Sequence, residues 1–242
     1  MISTRLYFEQ NLNLDRLTSC LSDLPELIKP TYFSEDEGKV SSSDLVSDDE
    51  RFKRFREENP DGFFVSNNNG VLFDISTPTV GYSALILYAD QLLSNELIES
   101  FFRAFVELDP IFGFACESEE YEHRNRYYTT IGINEIESWI GRDLNKYLSG
   151  IYWYTLLTDR TLNTYGLNLD EICILANNRD DIASGIYLLN FFERADDWQK
   201  HKAKLDGFCQ QTEGVFSKYD VELAVQGVSS YFEYGDIVAN WR

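Results

Sequence analysis

The chain has 242 residues, 43% of them hydrophobic, which is enough for a sizeable core and excludes a disordered polypeptide. Its 41 acidic residues against 21 basic ones leave a formal charge of −20. That is the wrong sign for neutralising nucleic-acid phosphates or for resting on an anionic membrane, and the right sign for steering a basic partner.

The N-terminal ten residues meet acid at Glu9 and hold no apolar run long enough for a signal peptide. No stretch approaches the ~20 apolar residues of a membrane span. Cys20, Cys116, Cys173 and Cys209 form no Cys-x-x-Cys pair. Buried free thiols in a reducing, cytoplasmic protein are the expectation.

In chain order, Leu6-Tyr7-Phe8 reads as a strand. Asn13 suits a helix N-cap, with Leu14, Leu17, Cys20, Leu21, Leu24 and Leu27 at helical spacing and Pro25 set to kink or end the helix. Thr31-Tyr32-Phe33 reads as a second strand and runs into Glu35-Asp36-Glu37. Residues 38–44, rich in Ser, read as a surface loop. Ser47-Asp48-Asp49-Glu50 opens a short helix with Phe52 and Phe55 on its apolar edge, closed before Pro60. Two strands then flank Ser66-Asn67-Asn68-Asn69-Gly70 as a hairpin.

The first pattern returns 81 residues on, without a gap. Leu6-Tyr7-Phe8-Glu9-Gln10 falls on Leu87-Tyr88-Ala89-Asp90-Gln91. Leu17, Cys20, Leu21, Leu24 and Leu27 fall on Ile98, Phe101, Phe102, Phe105 and Leu108, and Phe33 falls on Phe114. Acid follows again, at Glu117, Glu119, Glu120 and Glu122. Residues 6–33 and 87–114 are therefore expected as matching β-α-β units, by duplication or by the likeness of any two amphipathic units. A pseudo-two-fold between them would set the two acidic runs at opposite corners, and a continuing winding would set them at one end.

Beyond the second unit, Tyr121, Tyr127 and Tyr128 stand amid charge. Asn134 opens an expected helix with Ile136, Trp139, Ile140 and Leu144 on one face, running to the break at Ser149-Gly150. Residues 150–157, Gly-Ile-Tyr-Trp-Tyr-Thr-Leu-Leu, carry apolar side chains on both faces and read as an interior strand, with Tyr152, Trp153 and Tyr154 in the core. A short helix over residues 160–165 ends at Gly166. Residues 172–176 and 185–190 read as strands, 195–205 as a helix stopping at Gly207, and 221–228 and 231–238 as strands. The fold class is α+β, a mixed sheet with packed helices, in one domain spanning residues 1–242.

Little in the chain points to catalysis. Glu119, Glu122 and His123 have a spacing that suits a divalent metal, but among 41 acids such spacing arises by chance, and no metal or cofactor is expected. His201 lies among lysines on a solvated helix face. Cys116 and His123 read as a strand-end thiol beside a loop histidine rather than a nucleophile and base. No phosphate loop, dinucleotide fingerprint, serine elbow or zinc motif is present, so the expectation is a protein that is not an enzyme. The acidic runs are solvated loop ends or interface charges for a basic partner. As interface they give Glu35, Asp36, Glu37, Glu117, Glu119, Glu120, Tyr121, Glu122, Tyr127 and Tyr128.

Gly141-Arg142-Asp143-Leu144 leading into Gly150-Ile151-Tyr152-Trp153-Tyr154, then a short helix and Gly166, resembles a segment of bacterial immunity proteins of type VI secretion and polymorphic toxin systems. The likeness covers about a third of the chain, roughly residues 85–166, and its motif is structural. It implies an intracellular inhibitor whose partner is a cognate protein toxin, a basic one such as a nuclease. A non-catalytic adaptor is the alternative class, and a carboxylate- or metal-dependent enzyme the third.

Overall fold

A computed structural model describes residues 1–9, 12–37, 44–90, 92–141 and 143–241. The serine-rich loop read at 38–44 lies, except for Asp44, outside the described residues, as do Gln10, Gln91 and Arg142. The strands are β1 (Ile2–Phe8), β2 (Tyr32–Ser34), β3 (Gly62–Ser66), β4 (Val71–Ser76), β5 (Ser83–Ala89), β6 (Phe112–Glu117), β7 (Arg126–Ile131), β8 (Asn134–Trp139), β9 (Tyr154–Thr158), β10 (Asn178–Ala183) and β11 (Ile186–Asn190). The helices are α1 (Leu14–Ser22), α2 (Asp49–Glu58), α3 (Asn95–Phe105), α4 (Ser118–Asn125), α5 (Asp159–Tyr165), α6 (Leu169–Cys173), α7 (Trp198–Gln211), α8 (Ser217–Ala224) and α9 (Tyr231–Val238). The class is α+β. None of these helices is long and apolar enough to cross a membrane, among the described residues.

Where the sequence reads as one domain, the backbone gathers into two compact units. One joins residues 1–116 to 153–195, and the other joins 117–152 to 196–242. Neither is a continuous stretch of chain.

The first unit holds a nine-stranded sheet in the order β10-β11-β9-β6-β1-β5-β4-β3-β2. β1 is its middle strand and pairs antiparallel with β5. Both expected β-α-β units are present, and their first strands and helices begin at the same 81-residue offset. β1 and β5 begin and end 81 residues apart. The two helix caps obey the same offset: Asn13 Oδ1 accepts the Arg16 N–H at 2.9 Å, and Ser94 Oγ accepts the Leu97 N–H at 3.4 Å. Leu17, Leu21 and Leu24 are buried from one copy, and Ile98, Phe102 and Phe105 from the other. In the β1–β5 register Arg5 lies opposite Ile86, its own counterpart. β1 and β5 are thus related by a local two-fold axis, with α1 and α3 packed together. The arrangement is not a pair of simple crossovers. β1 lies between β5 and β6, while the hairpin β3–β4 separates β5 from β2.

Alternation along the middle strands sorts two faces. Leu6, Leu85, Leu87 and Phe73 are buried, and Phe73 stacks on Phe101 of α3. Arg5, Tyr7, Asp74, Ile86 and Tyr88 point the other way and are half-buried. α1 ends at Ser22, three residues ahead of Pro25, so Leu24 is buried outside the helix and Leu27 is exposed. α2 is capped by Asp48, one residue after the Ser47 of the expected capping box, while the Asn-Gly hairpin between β3 and β4 forms as expected.

The apolar stretch at 150–157 becomes an interior strand only from Tyr154. β9 lies between β11 and β6, and all five of its residues are buried. Trp153 precedes it, 1% exposed, with Nε1–H donating to the Phe192 carbonyl at 2.9 Å.

Several expectations are corrected. The stretch after Asn134 is strand β8, not a helix. Gly132, at φ +64°, turns the chain so that Ile131 pairs with Asn134, and Ile136 and Ser138 alternate with exposed Glu135 and Glu137. The strand read at 172–176 is helix α6, capped by Asn168. The missed strand β10 is a polar edge strand paired only with β11. α7 passes straight through Gly207, because Leu205 and Cys209 are both buried on one side of it. The last two expected strands are helices α8 and α9. Val221 and Val225, and Tyr234 and Val238, recur at four residues and pack with Ile131 and Ile140 in the core of the second unit. Cys116 and Cys209 are buried, Cys20 and Cys173 only partly, and all four are free thiols.

Trp153→Ala should cost about 3–5 kcal/mol through lost burial and a cavity, measured by denaturant unfolding. Trp153→Phe should cost less, since the Phe192 carbonyl keeps the Asn190 amide at 2.9 Å. Unchanged stability in Trp153→Ala would show that the ring is not core.

Candidate functional site: two acidic runs

The first acidic run follows the edge strand β2. Ser34 Oγ accepts the Asp36 N–H at 3.1 Å and donates to the Asp36 carbonyl at 2.6 Å, which bends the chain and turns Glu35, Asp36 and Glu37 outward. All three are solvent-exposed or nearly so. Between this bend and α2 lies a cleft of about 480 Å³. Phe33 and Phe55 form its apolar wall, with ring centres 4.5 Å apart. Glu35, Asp36, Asp44 and Glu58 line it with acid. Arg51 and Arg54 also reach the cleft, and Arg51 is ion-paired with Asp44. Carboxylates outnumber guanidiniums there by four to two, so the cleft suits a cationic side chain that can lie against an aromatic ring.

The second run is divided by its helix. Glu117 closes β6, and α4 begins at Ser118. Glu119 and Glu122 are exposed, and Glu122 also pairs with Arg126 at 3.3 Å. Tyr121 lies tilted against Trp139 with centres 5.8 Å apart, and Tyr127 stacks on Tyr234 at 6.5 Å, so both are partly taken up by packing. Tyr128 is 60% exposed. Glu120 is a correction: it is 0% exposed and presents nothing to a partner. The two runs belong to different units, and β2 and β6 have four strands of the sheet between them.

Glu120 instead anchors a buried charge cluster. One of its oxygens accepts from Arg124 Nε and Nη2, both at 3.3 Å. Arg124 Nη1 donates to Asp206 at 2.9 Å, and the other Asp206 oxygen lies 3.0 Å from His123 Nε2. His123 stacks on Trp198, and Lys218 donates to the His123 carbonyl. His123, which the sequence spaces with Glu119, is thus turned to Asp206. Among the described residues no group of His, Cys, Asp or Glu is placed to hold a metal ion.

Gly150 and Tyr152 pack around this cluster. A Cβ on Gly150 would lie 2.8 Å from Arg124 Cδ, so only glycine lets the arginine pass. The Arg124 guanidinium lies 5.5 Å from the centre of the Tyr152 ring, and the Asn125 amide donates to Tyr152 Oη at 2.7 Å. Burial alone would push Asp206 up, but the His123 hydrogen bond, the Arg124 charge and the Tyr219 hydroxyl hold it at about 2. Burial pushes the Cys209 thiol up to about 12, which makes it a poor nucleophile. The Glu120–Arg124 pair was legible as an i, i+4 spacing. Asp206, 82 residues beyond Arg124, was not.

Glu120→Gln should cost about 3 kcal/mol in denaturant unfolding, because it strips a charge partner from a buried guanidinium. Replacing Glu120 and Arg124 together by methionine, with Asp206→Asn, should recover most of that loss. The Asp206 carboxyl is lowered on folding, so the stability it contributes is complete above pH ~4 and is lost as pH falls toward 2. Asp206→Asn should therefore flatten the acid limb of the unfolding profile, by about 2 kcal/mol across that window. An acid limb identical to that of the unmodified protein would show that other carboxylates control it.

No family model, curated protein or solved structure matches this chain.

Proposed function

We propose that this chain is a cytoplasmic immunity protein that binds a secreted, basic bacterial toxin, such as a nuclease, and blocks its active site or its access to substrate. The observation that carries the reading is the cleft beside β2, where an aromatic wall is rimmed by four carboxylates. A cationic toxin side chain would find both a ring face and opposite charge there. The charge of the whole chain supports it. The first unit has 26 acidic to 12 basic residues, and the second 15 to 9, so most of the excess belongs to the unit that holds the cleft. The likeness of residues 141–154 to immunity proteins supports the class but lends no interface residue. In this reading Glu35, Asp36 and Glu37 steer the encounter, with Glu119 and Glu122 adding to the field.

Co-expression should rescue growth of a cell making the toxin encoded beside this chain. Reversing Glu35, Asp36 and Glu37 to Lys should slow association about tenfold at low salt with little change in release, and added salt should shrink the difference. Rescue with salt-insensitive kinetics would retain the immunity role and discard steering. Failure of both rescue and complex formation would overturn the reading in favour of an adaptor.

A further inference from the structure

We infer that the outer side of α8 and α9 is a docking surface for a basic protein segment that carries apolar side chains among its cations. The partner's identity rests on the toxin reading, but the chemistry of the surface does not. Val221, Val225, Tyr234 and Val238 face inward onto the core of the second unit. Leu223 is two residues from each valine, and Phe232 two residues from Tyr234. At ~100° per residue both must point to the opposite side. They do: Leu223 is 66% exposed and Phe232 83%, with Tyr231 at 64% beside it. The Tyr231 and Phe232 rings stand edge to face at 6.3 Å.

The exposed apolar residues Val80, Ile133 and Ile174 stand singly in their stretches, and single exposed side chains are ordinary. Three large ones on two packed helices are not, and aromatics so placed are typical interface anchors. The surrounding charge selects the occupant. Between Lys218 and Arg242 the sequence has Asp220, Glu222, Glu233 and Asp236 and no basic residue. A second copy docking face to face would press these carboxylates against their own kind, and an anionic lipid surface would be repelled. A cationic partner with apolar side chains meets both components at once. The acidic runs act on the approach, and this patch acts on the release.

The probe is a synthetic amphipathic helix of Leu and Lys, titrated by fluorescence anisotropy against the full chain at roughly 50 and 300 mM salt. Binding should weaken about tenfold at the higher salt, and amide exchange should slow over residues 219–238. Leu223→Ser with Phe232→Ser should weaken binding about tenfold or more without changing the melting temperature, while Val80→Ser with Ile174→Ser should change nothing. Unchanged binding by the first variant, protection confined to other residues, or a dimer of the unmodified chain that the variant abolishes would each overturn the proposal. The growth assay separates the two readings. If the unmodified chain and the Leu223/Phe232 variant rescue equally, the patch is wrong and the toxin reading stands. If neither rescues while the peptide still binds the patch, the surface stands and the toxin reading falls.

Discussion

The pairing of β1 with β5 is the constraint on which the sheet depends. Each strand enters a helix capped in the same way at the same offset, and their register sets Arg5 against its own counterpart. Because β1 is the middle of nine strands, the sheet extends from it in both directions. β5, β4, β3 and β2 lie to one side, and β6, β9, β11 and β10 to the other. A one-residue slip in this pair would turn Leu6, Leu85 and Leu87 out of the core and bring Arg5 and Tyr88 in. The hydrophobic alternation thus fixes the register, and the register fixes the sheet.

The acid is divided between the two units. Burial divides the second stretch again. Glu119 and Glu122 remain in water, while Glu120 is turned inward one residue later, on the side of α4 that carries Arg124. There Glu120 shares with Asp206 the compensation of a buried guanidinium. A count of carboxylates along the sequence therefore overstates what a partner can meet.

What could be read in advance followed from period and punctuation. The hairpin at Asn69-Gly70 and the interior strand rest on signals within about ten residues, and the repeat on one gapless offset of 81. The stretches misread after Asn134 and after Val221 share one cause. Ile136, Trp139 and Ile140 fit helical spacing, yet Ile136, Ser138 and Ile140 also fit a strand. Val221, Leu223 and Val225 fit a strand, yet Val221 and Val225 are a helical pair. Where both periods fit, the tertiary partner decides: the β7–β8 turn at Gly132 in one case, and the packing of α8 and α9 on Ile131 and Ile140 in the other. The charge cluster was illegible for a related reason. Its key contact joins Arg124 to Asp206, and no local pattern announces a partner that distant.

The discontinuous units bear on how the chain is made. β6 is apolar on both faces, and its far edge is covered only by β9, which follows an intervening stretch of the other unit. During synthesis at roughly 10 residues per second, that edge would wait several seconds with its backbone groups unpaired. An open edge with Phe112 and Phe114 beside it is a template for pairing with a neighbouring nascent chain. Expression yield should therefore be most sensitive to substitutions that delay β9, and a fragment ending before Tyr154 should aggregate even though it contains both β-α-β units.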